Sequence, residues 1–273
     1  MKFSVAMSVY KNDNAQHFDR ALESITAFQT VKPSEIVLVV DGPVDDKLNG
    51  VIKKYEFAYP IFKVIRLDKN GGLGNALKLA VKNASYDLIA RMDSDDVSLP
   101  TRFEQQLAFF ESDSSVDIVG GDISEFIGEE DNIVACRKVP TSDQKIKGYM
   151  RVRCPFNHMS VMYKKSAVLN AGGYLDLFWN EDYFLWIRMQ LAGAKFANTG
   201  TILVNVRTGA DMYARRGGKR YFQSEKYLQK YMLEHKMIGY STYISNVAKR
   251  FVVQICLPNW LRGWVFRKFA RGE

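Results

Sequence analysis

The chain has 273 residues, of which 47% are hydrophobic and 25% charged, which fits one large α/β domain or such a domain with a small appendage. Its formal charge is +8, but six Lys and Arg against one Glu lie between Tyr240 and the C-terminus, leaving the body nearly balanced. A nucleic-acid binder carries its positive stripe on the folded domain, so nucleic acid is excluded as the main partner, and the basic end suits anionic lipid instead.

Met1 and Lys2 lead directly into a strand-like run, Phe3 to Val9, with no cleavage site, so no secretory signal is expected. Phe18, Leu22, Ile25 and Phe28 follow at helical spacing. Further apolar runs at Ile36 to Val40, Phe62 to Ile65 and Leu88 to Ala90 predict strands, with a helix through Leu73, Leu77, Ala80 and Val81. A helix at about Arg102 to Phe110 and a fifth strand at Ile118 to Gly121 complete the alternation. Alternating strands and helices predict a parallel sheet of right-handed βαβ units, whose ligands bind beyond the carboxyl ends of the strands. Between Asp122 and Arg207 the pattern is mixed, with strands expected at His158 to Tyr163 and Thr201 to Val206, and a helix at Glu181 to Ala192. No Pro, Gly or Ser linker separates the halves. Cys136, Cys154 and Cys256 lack paired zinc-site spacing and read as thiols in a reducing compartment.

Polar groups collect where the strands end. Asp93, Ser94, Asp95 and Asp96 follow the fourth strand, and three carboxylates so close repel one another unless a cation or partner lies among them. They suit a hard divalent metal completed by phosphate oxygens and water, or else the start of the following helix. Asp41 ends the second strand, either as an Asp-Gly turn or as an acceptor for a pyrimidine ring N–H. Asn70 to Gly74 bring bare backbone to a helix start, yet match neither a dinucleotide fingerprint nor a phosphate-binding P-loop. Glu181 and Asp182 open an aromatic helix, where one carboxylate serves as a general base or both merely cap the helix. His158 reads as buried structure or as a ligand. Arg207, Arg215, Arg216 and Lys219 cluster around glycines as a solvated loop or as a flexible flap over a diphosphate.

Together SVYKND, VVDG, NGGLGNAL, MDSDD with LPTR, NHMSV, and GGY followed by WNED resemble the family 2 glycosyltransferases with the GT-A fold, especially bacterial enzymes of surface-polysaccharide assembly. The resemblance covers roughly residues 1 to 210. It implies a GT-A (Rossmann-like) mixed, mainly parallel sheet flanked by helices, with a nucleotide-sugar-binding half over 1–121 and an acceptor-side half over 122–210. It also implies transfer with inversion; Asp41, suited to a pyrimidine ring with an N–H, favours a UDP-hexose or UDP-N-acetylhexosamine donor with dTDP left open, and the tail points to a lipid-linked saccharide as acceptor. Residue by residue, Tyr10 and Asp41 contact the nucleoside; Asn70, Gly74 and Arg215 are expected on the donor from the glycine-rich turn and the basic loop themselves. Asp93 holds ribose or metal, Asp95 ligates Mn²⁺ or Mg²⁺, His158 lies near the diphosphate as a further metal ligand, and Asp182 is the base. Val40 stands where the family usually has a second acidic residue, the helix after NGG lacks the common arginine, and the QxxRW motif of processive synthases is missing. One sugar per encounter is therefore expected.

Residues 211–273 form a basic loop and tail. Ile244, Val247, Ala248, Phe251, Val252 and Ile255 fall at helical spacing, Pro258 breaks the helix, and Trp260, Leu261, Trp264, Val265 and Phe269 mix with Arg262, Arg267, Lys268 and Arg271. This helical tail suits a bilayer interface or packing on the catalytic domain. The expected location is cytoplasmic, peripheral to the inner face of the inner membrane. Two rival readings share some of these features: a sugar-nucleotide nucleotidyltransferase, which needs a glycine-rich basic loop after the first strand, and a non-catalytic nucleotide-sugar or glycan-binding module.

Overall fold

The computed structural model describes residues 1–209 and 217–258. Among them, nine strands form one sheet. The first half is built from β1 (Phe3–Val9), α1 (Ala15–Ile25), β2 (Glu35–Val40), α2 (Asp46–Ala58), β3 (Phe62–Arg66), α3 (Leu73–Asn83) and β4 (Leu88–Met92). Every residue of β2 and β4 is buried, as strands covered on both faces require. Alternate residues of β1 enter opposite cores: Ala6 joins Leu77 and Trp186, while Val5 and Met7 join Phe18 and Leu22.

Register decides where chemistry collects. In the parallel pairs Val9 faces Val40 and Met7 faces Met92, so β1, β2 and β4 end on one edge of the sheet. The segments carrying Tyr10, Asp41 and Asp93 leave the sheet there. Helix α1 starts on Asn14, whose side chain accepts from the N–H groups of Gln16 and His17. It ends at Ile25, earlier than its spacing suggests, and Phe28 lies outside it beneath the Arg20 guanidinium.

Beyond β4 come β5 (Val97–Ser98), α4 (Arg102–Ser112), β6 (Ile118–Phe126), β7 (Ile133–Arg137), α5 (Asp143–Met150), β8 (Met162–Lys164), α6 (Lys165–Asn170), α7 (Glu181–Leu191) and β9 (Phe196–Arg207). The strand order is β3-β2-β1-β4-β8-β6-β9-β5, with β7 paired to β6, and this half is mixed: β8 runs antiparallel to both β4 and β6, whereas β6 and β9 are parallel. The strand expected over His158 to Tyr163 is corrected to a 3₁₀ turn, His158–Ser160, followed by the short β8. Local side-chain bonds explain the difference, because Ser160 Oγ donates within reach of both Gly121 O and Asn157 O and Asn157 Nδ2 donates to Gly121 O.

Two helices follow, α8 (Lys219–Glu234) and α9 (Tyr240–Phe251), the latter running into a π turn over Val252–Cys256. The apolar stripe of α9 is present but faces outward. Asn246 and Gln254 are buried, while Ile244, Phe251, Val252 and Ile255 are exposed. Asn246 Nδ2 donates to Arg151 O at 2.9 Å and Gln229 Oε1 at 2.8 Å, and Arg250 bonds Glu225 at 2.5 Å. Packing of the stripe on the catalytic domain is thus replaced by packing of the polar face. No helix among the described residues is long and apolar enough to cross a membrane.

Candidate active site

On the β2 side of the common edge, Asp41 is buried and organises the glycine loop. Its carboxylate accepts from Asn70 Nδ2 at 2.9 Å, Gly71 N at 2.7 Å and Gly72 N at 2.9 Å, and its carbonyl accepts from the same Asn70 amide at 3.1 Å. Gly42 closes the turn with φ +87°, and a Cβ there would lie 2.7 Å from Asn70 N, so only glycine fits. Asp41 and Asn70 thus brace the loop whatever else they contact. Tyr10, at the tip of β1, is exposed.

Next to it lies an acidic cluster. Asp13 accepts from Tyr10 N and from Ser94 Oγ, each at 2.9 Å, and burial then raises its carboxyl. Asp95 keeps an open face, yet loss of solvent in the cleft, followed by the charges of Asp93 and Asp13, pushes it up to about 6. Arg91, fully buried on β4, pairs with Asp93 from beneath. Its Nε and Nη1 have no hydrogen-bond partner among the described residues. Arg102 is also buried and holds this strand end by donating to Arg91 O at 2.6 Å. Asp96 does not cap a helix, since α4 starts after Thr101; it accepts from Arg207 N at 2.9 Å and so ties the acidic turn to β9. Arg207 also donates to Asp95 O at 3.3 Å and Gly128 O at 2.9 Å, which makes it a brace of that turn.

Opposite, α7 presents Glu181 and Asp182 in its first turn. A Cβ built on Gly74 would lie 3.5 Å from Glu181 Cβ, 3.7 Å from Leu175 O and 3.8 Å from the Asp176 Cα, so the glycine loop and the 175–181 segment touch. Burial, then the Asp182 charge, raises Glu181 to about 7, and burial raises Asp182 as well. Cys154 Sγ lies 3.9 Å from Asp182 Oδ2, and Arg137, which donates to Cys154 O at 2.7 Å, lends that carboxylate positive potential. Tyr183 donates to Met150 O, and Asn180 Nδ2 to Ser224 Oγ at 3.0 Å, fixing the helix start.

His158 is deep rather than open. Its Nε2 shares a 2.9 Å hydrogen bond with Tyr174 OH, its ring packs on Trp186, and burial followed by the Arg91 charge lowers its pKa well below the ordinary value. Among the described residues no three His, Cys, Asp or Glu side chains gather into a metal cage, so Asp93, Asp95 and His158 are not a single preformed ligand set. The oxygen donors at the end of β4 still fit a hard dication that shares its coordination with a ligand's phosphates. Arg215 and Arg216 lie outside the described residues. Sequence spacing marks neither Arg91 nor Arg137 and presents Cys154 only as an ordinary thiol, while Asp13 closes the polar segment Tyr10 to Asp13 that follows the first strand.

The sequence profile described as "Glycosyl transferase family 2" matches residues 4–173. The chain is 42% identical over 271 residues to an uncharacterized glycosyltransferase of Haemophilus influenzae, covering 99% of this chain and all of that protein. It is 35% identical to a UDP-Gal:alpha-D-GlcNAc-diphosphoundecaprenol beta-1,3-galactosyltransferase of Escherichia coli, covering 99% and 97% of the two chains. In fold it resembles S. aureus TarS 1-349 with a TM-score of 0.67 and 19% identity, over 98% of this chain and 75% of that one. It also resembles a Pyrobaculum calidifontis mannosyltransferase solved with GDP-Man and Mn²⁺, with a TM-score of 0.62 and 13% identity, over 96% and 71%.

Proposed function

The chain belongs to glycosyl transferase family 2 and is a glycosyltransferase, and from that premise we propose that it moves a hexosyl or N-acetylhexosaminyl residue, with inversion, from a UDP-sugar to a hydroxyl of a lipid-linked saccharide in surface-polysaccharide synthesis. The observation that carries this reading is the contact of the glycine loop at Gly74 with Glu181, which sets the acidic strand ends and the acidic helix start across one cleft. The E. coli relative, named for a UDP-Gal donor and a lipid diphosphate acceptor, supports the choice of substrates.

In this reading Tyr10 and Asp41 flank the nucleoside, the loop from Asn70 to Gly74 lines the donor, and Arg215 meets the diphosphate. Asp93 and Asp95 hold Mn²⁺ or Mg²⁺, which when bound supplies charge stabilisation for the leaving diphosphate. Asp182 takes the proton of the acceptor hydroxyl as its oxygen bonds to the anomeric carbon and the sugar–diphosphate bond breaks. The outward apolar stripe of α9 and the basic residues beyond it lay the enzyme on the cytoplasmic face of the inner membrane.

Thermal unfolding with UDP-galactose, UDP-glucose, UDP-N-acetylglucosamine, dTDP-glucose and GDP-mannose, each with and without Mn²⁺, tests the donor assignment. A UDP-sugar should stabilise the protein only with metal, by mass action. Stabilisation by GDP-mannose alone overturns the choice of UDP, and no stabilisation by any donor overturns the donor site.

A further inference from the structure

At the rim of the cleft Phe178 and Trp179 stack with ring centroids 4.7 Å apart and planes 14° from parallel. The Arg220 guanidinium lies 4.0 Å from the Phe178 ring centroid. Tyr221 meets Trp179 at 6.3 Å with an interplanar angle of 56°. Even so, 46% of Trp179 is open to solvent, and its backbone sits at φ +55°, a left-handed conformation that a bulky residue adopts only when its surroundings enforce it. The enforcement is visible. Asn180 next to it is buried and bonded to Ser224, and the preceding Leu175 and Asp176 rest against the glycine loop. An indole is thus held rigidly, half exposed, three residues before Asp182 and across from the donor loop.

A fixed, half-exposed aromatic face just before the acidic start of α7 matches a pyranose, which offers an apolar C–H face and a rim of hydroxyls. An anionic lipid surface fits it poorly, because Glu181 and Asp182 open the helix that follows. We propose that Trp179 is the stacking platform of an acceptor-sugar subsite, holding the terminal pyranose of the acceptor so that its hydroxyl reaches Asp182. This subsite rests on the glycosyltransfer reading given above and adds the recognition of the acceptor ring.

The test uses the full chain, Mn²⁺, the UDP-sugar that stabilises it, and short-alkyl diphosphates of GlcNAc, GalNAc, glucose and galactose as acceptor probes. Trp179→Ala should raise the acceptor KM at least about tenfold while the donor KM stays within about twofold, and Trp179→Phe should recover most of the loss. Should the alanine variant not fold, Trp179→Leu, which keeps bulk without a ring, takes its place with the same expectation. An unchanged acceptor KM, or an equal rise in the donor KM, overturns the platform, as does a wild-type enzyme that hydrolyses donor but is accelerated by no sugar probe. A wild-type enzyme that neither binds nor hydrolyses any UDP-sugar overturns instead the transferase reading beneath it.

Discussion

The guanidinium of Arg91 pairs with the carboxylate of Asp93 from inside the sheet, so the acidic edge carries its own buried counter-charge. Removing one partner of such a pair leaves the other uncompensated. Arg91→Met should cost about 3 kcal/mol in urea unfolding. It should also weaken the metal-dependent stabilisation by donor, since Asp93 loses the contact that orients it. A variant as stable as the parent would show that the pair holds nothing.

Asp41 should behave as a loop anchor. Asp41→Ala strands the N–H groups of Gly71 and Gly72 and frees the Asn70 amide. The expected cost is about 2 kcal/mol of stability, together with a donor KM raised about tenfold. Steady-state kinetics at varied donor checks this, and an unchanged donor KM would separate the loop from the substrate.

Glu181 gives a signed pH dependence. Its carboxyl, ordinarily near 4.5, stands at about 7 in the fold because of burial and then the Asp182 charge. The folded state therefore binds this proton more tightly than the unfolded chain, and the group's contribution to stability falls as pH rises from about 4.5 to about 7, then levels. Glu181→Gln should flatten that descent and gain on the order of 1 kcal/mol at pH 8, measured by denaturant unfolding. Turnover should rise with pH through the same window as the acidic pair loses its proton, and the glutamine variant should move that limb to lower pH. Superimposable profiles for the two proteins would remove Glu181 from the pair.

The acidic pair also separates chemistry from binding. Asp182→Asn should abolish transfer while keeping metal-dependent donor stabilisation, whereas Asp95→Asn should lose both. Substantial transfer by the Asp182 variant would assign the base elsewhere, with Glu181 the first residue to test.

Helix α9 predicts a surface effect without a folding effect. Replacing Ile244, Val252 and Ile255 by Ser should cut sedimentation with phosphatidylglycerol vesicles by about tenfold or more and leave Tm nearly unchanged, because these side chains are exposed. Equal sedimentation of parent and variant counts against the membrane face.

The strands were legible because β-branched runs fully buried in a sheet look alike wherever they occur, and the acidic edge followed from where those runs stop. What sequence spacing leaves out is direction. The stripe from Ile244 to Ile255 is evident in the chain, but its outward aim depends on Asn246 and Gln254 being buried, with Asn246 bonded to Arg151 and Gln229, none of which is near it in sequence. Arg137 gives no signal for the same reason, since its partners Cys154 and Asn157 come from a separate loop. The run through His158 misled because its polar members bond locally and curl the backbone before β8 begins.

The shared direction of β1, β2 and β4 has a consequence for how such an enzyme diversifies. Val9 and Val40 finish level while Met92, opposite Met7, stops two residues short, so the loops above them are separate modules on one stepped shelf. On the reading proposed above, a change at the tip of β2 retunes the choice of base, and one in the 175–181 segment the choice of acceptor, while the shelf beneath and the core that supports it stay as they are.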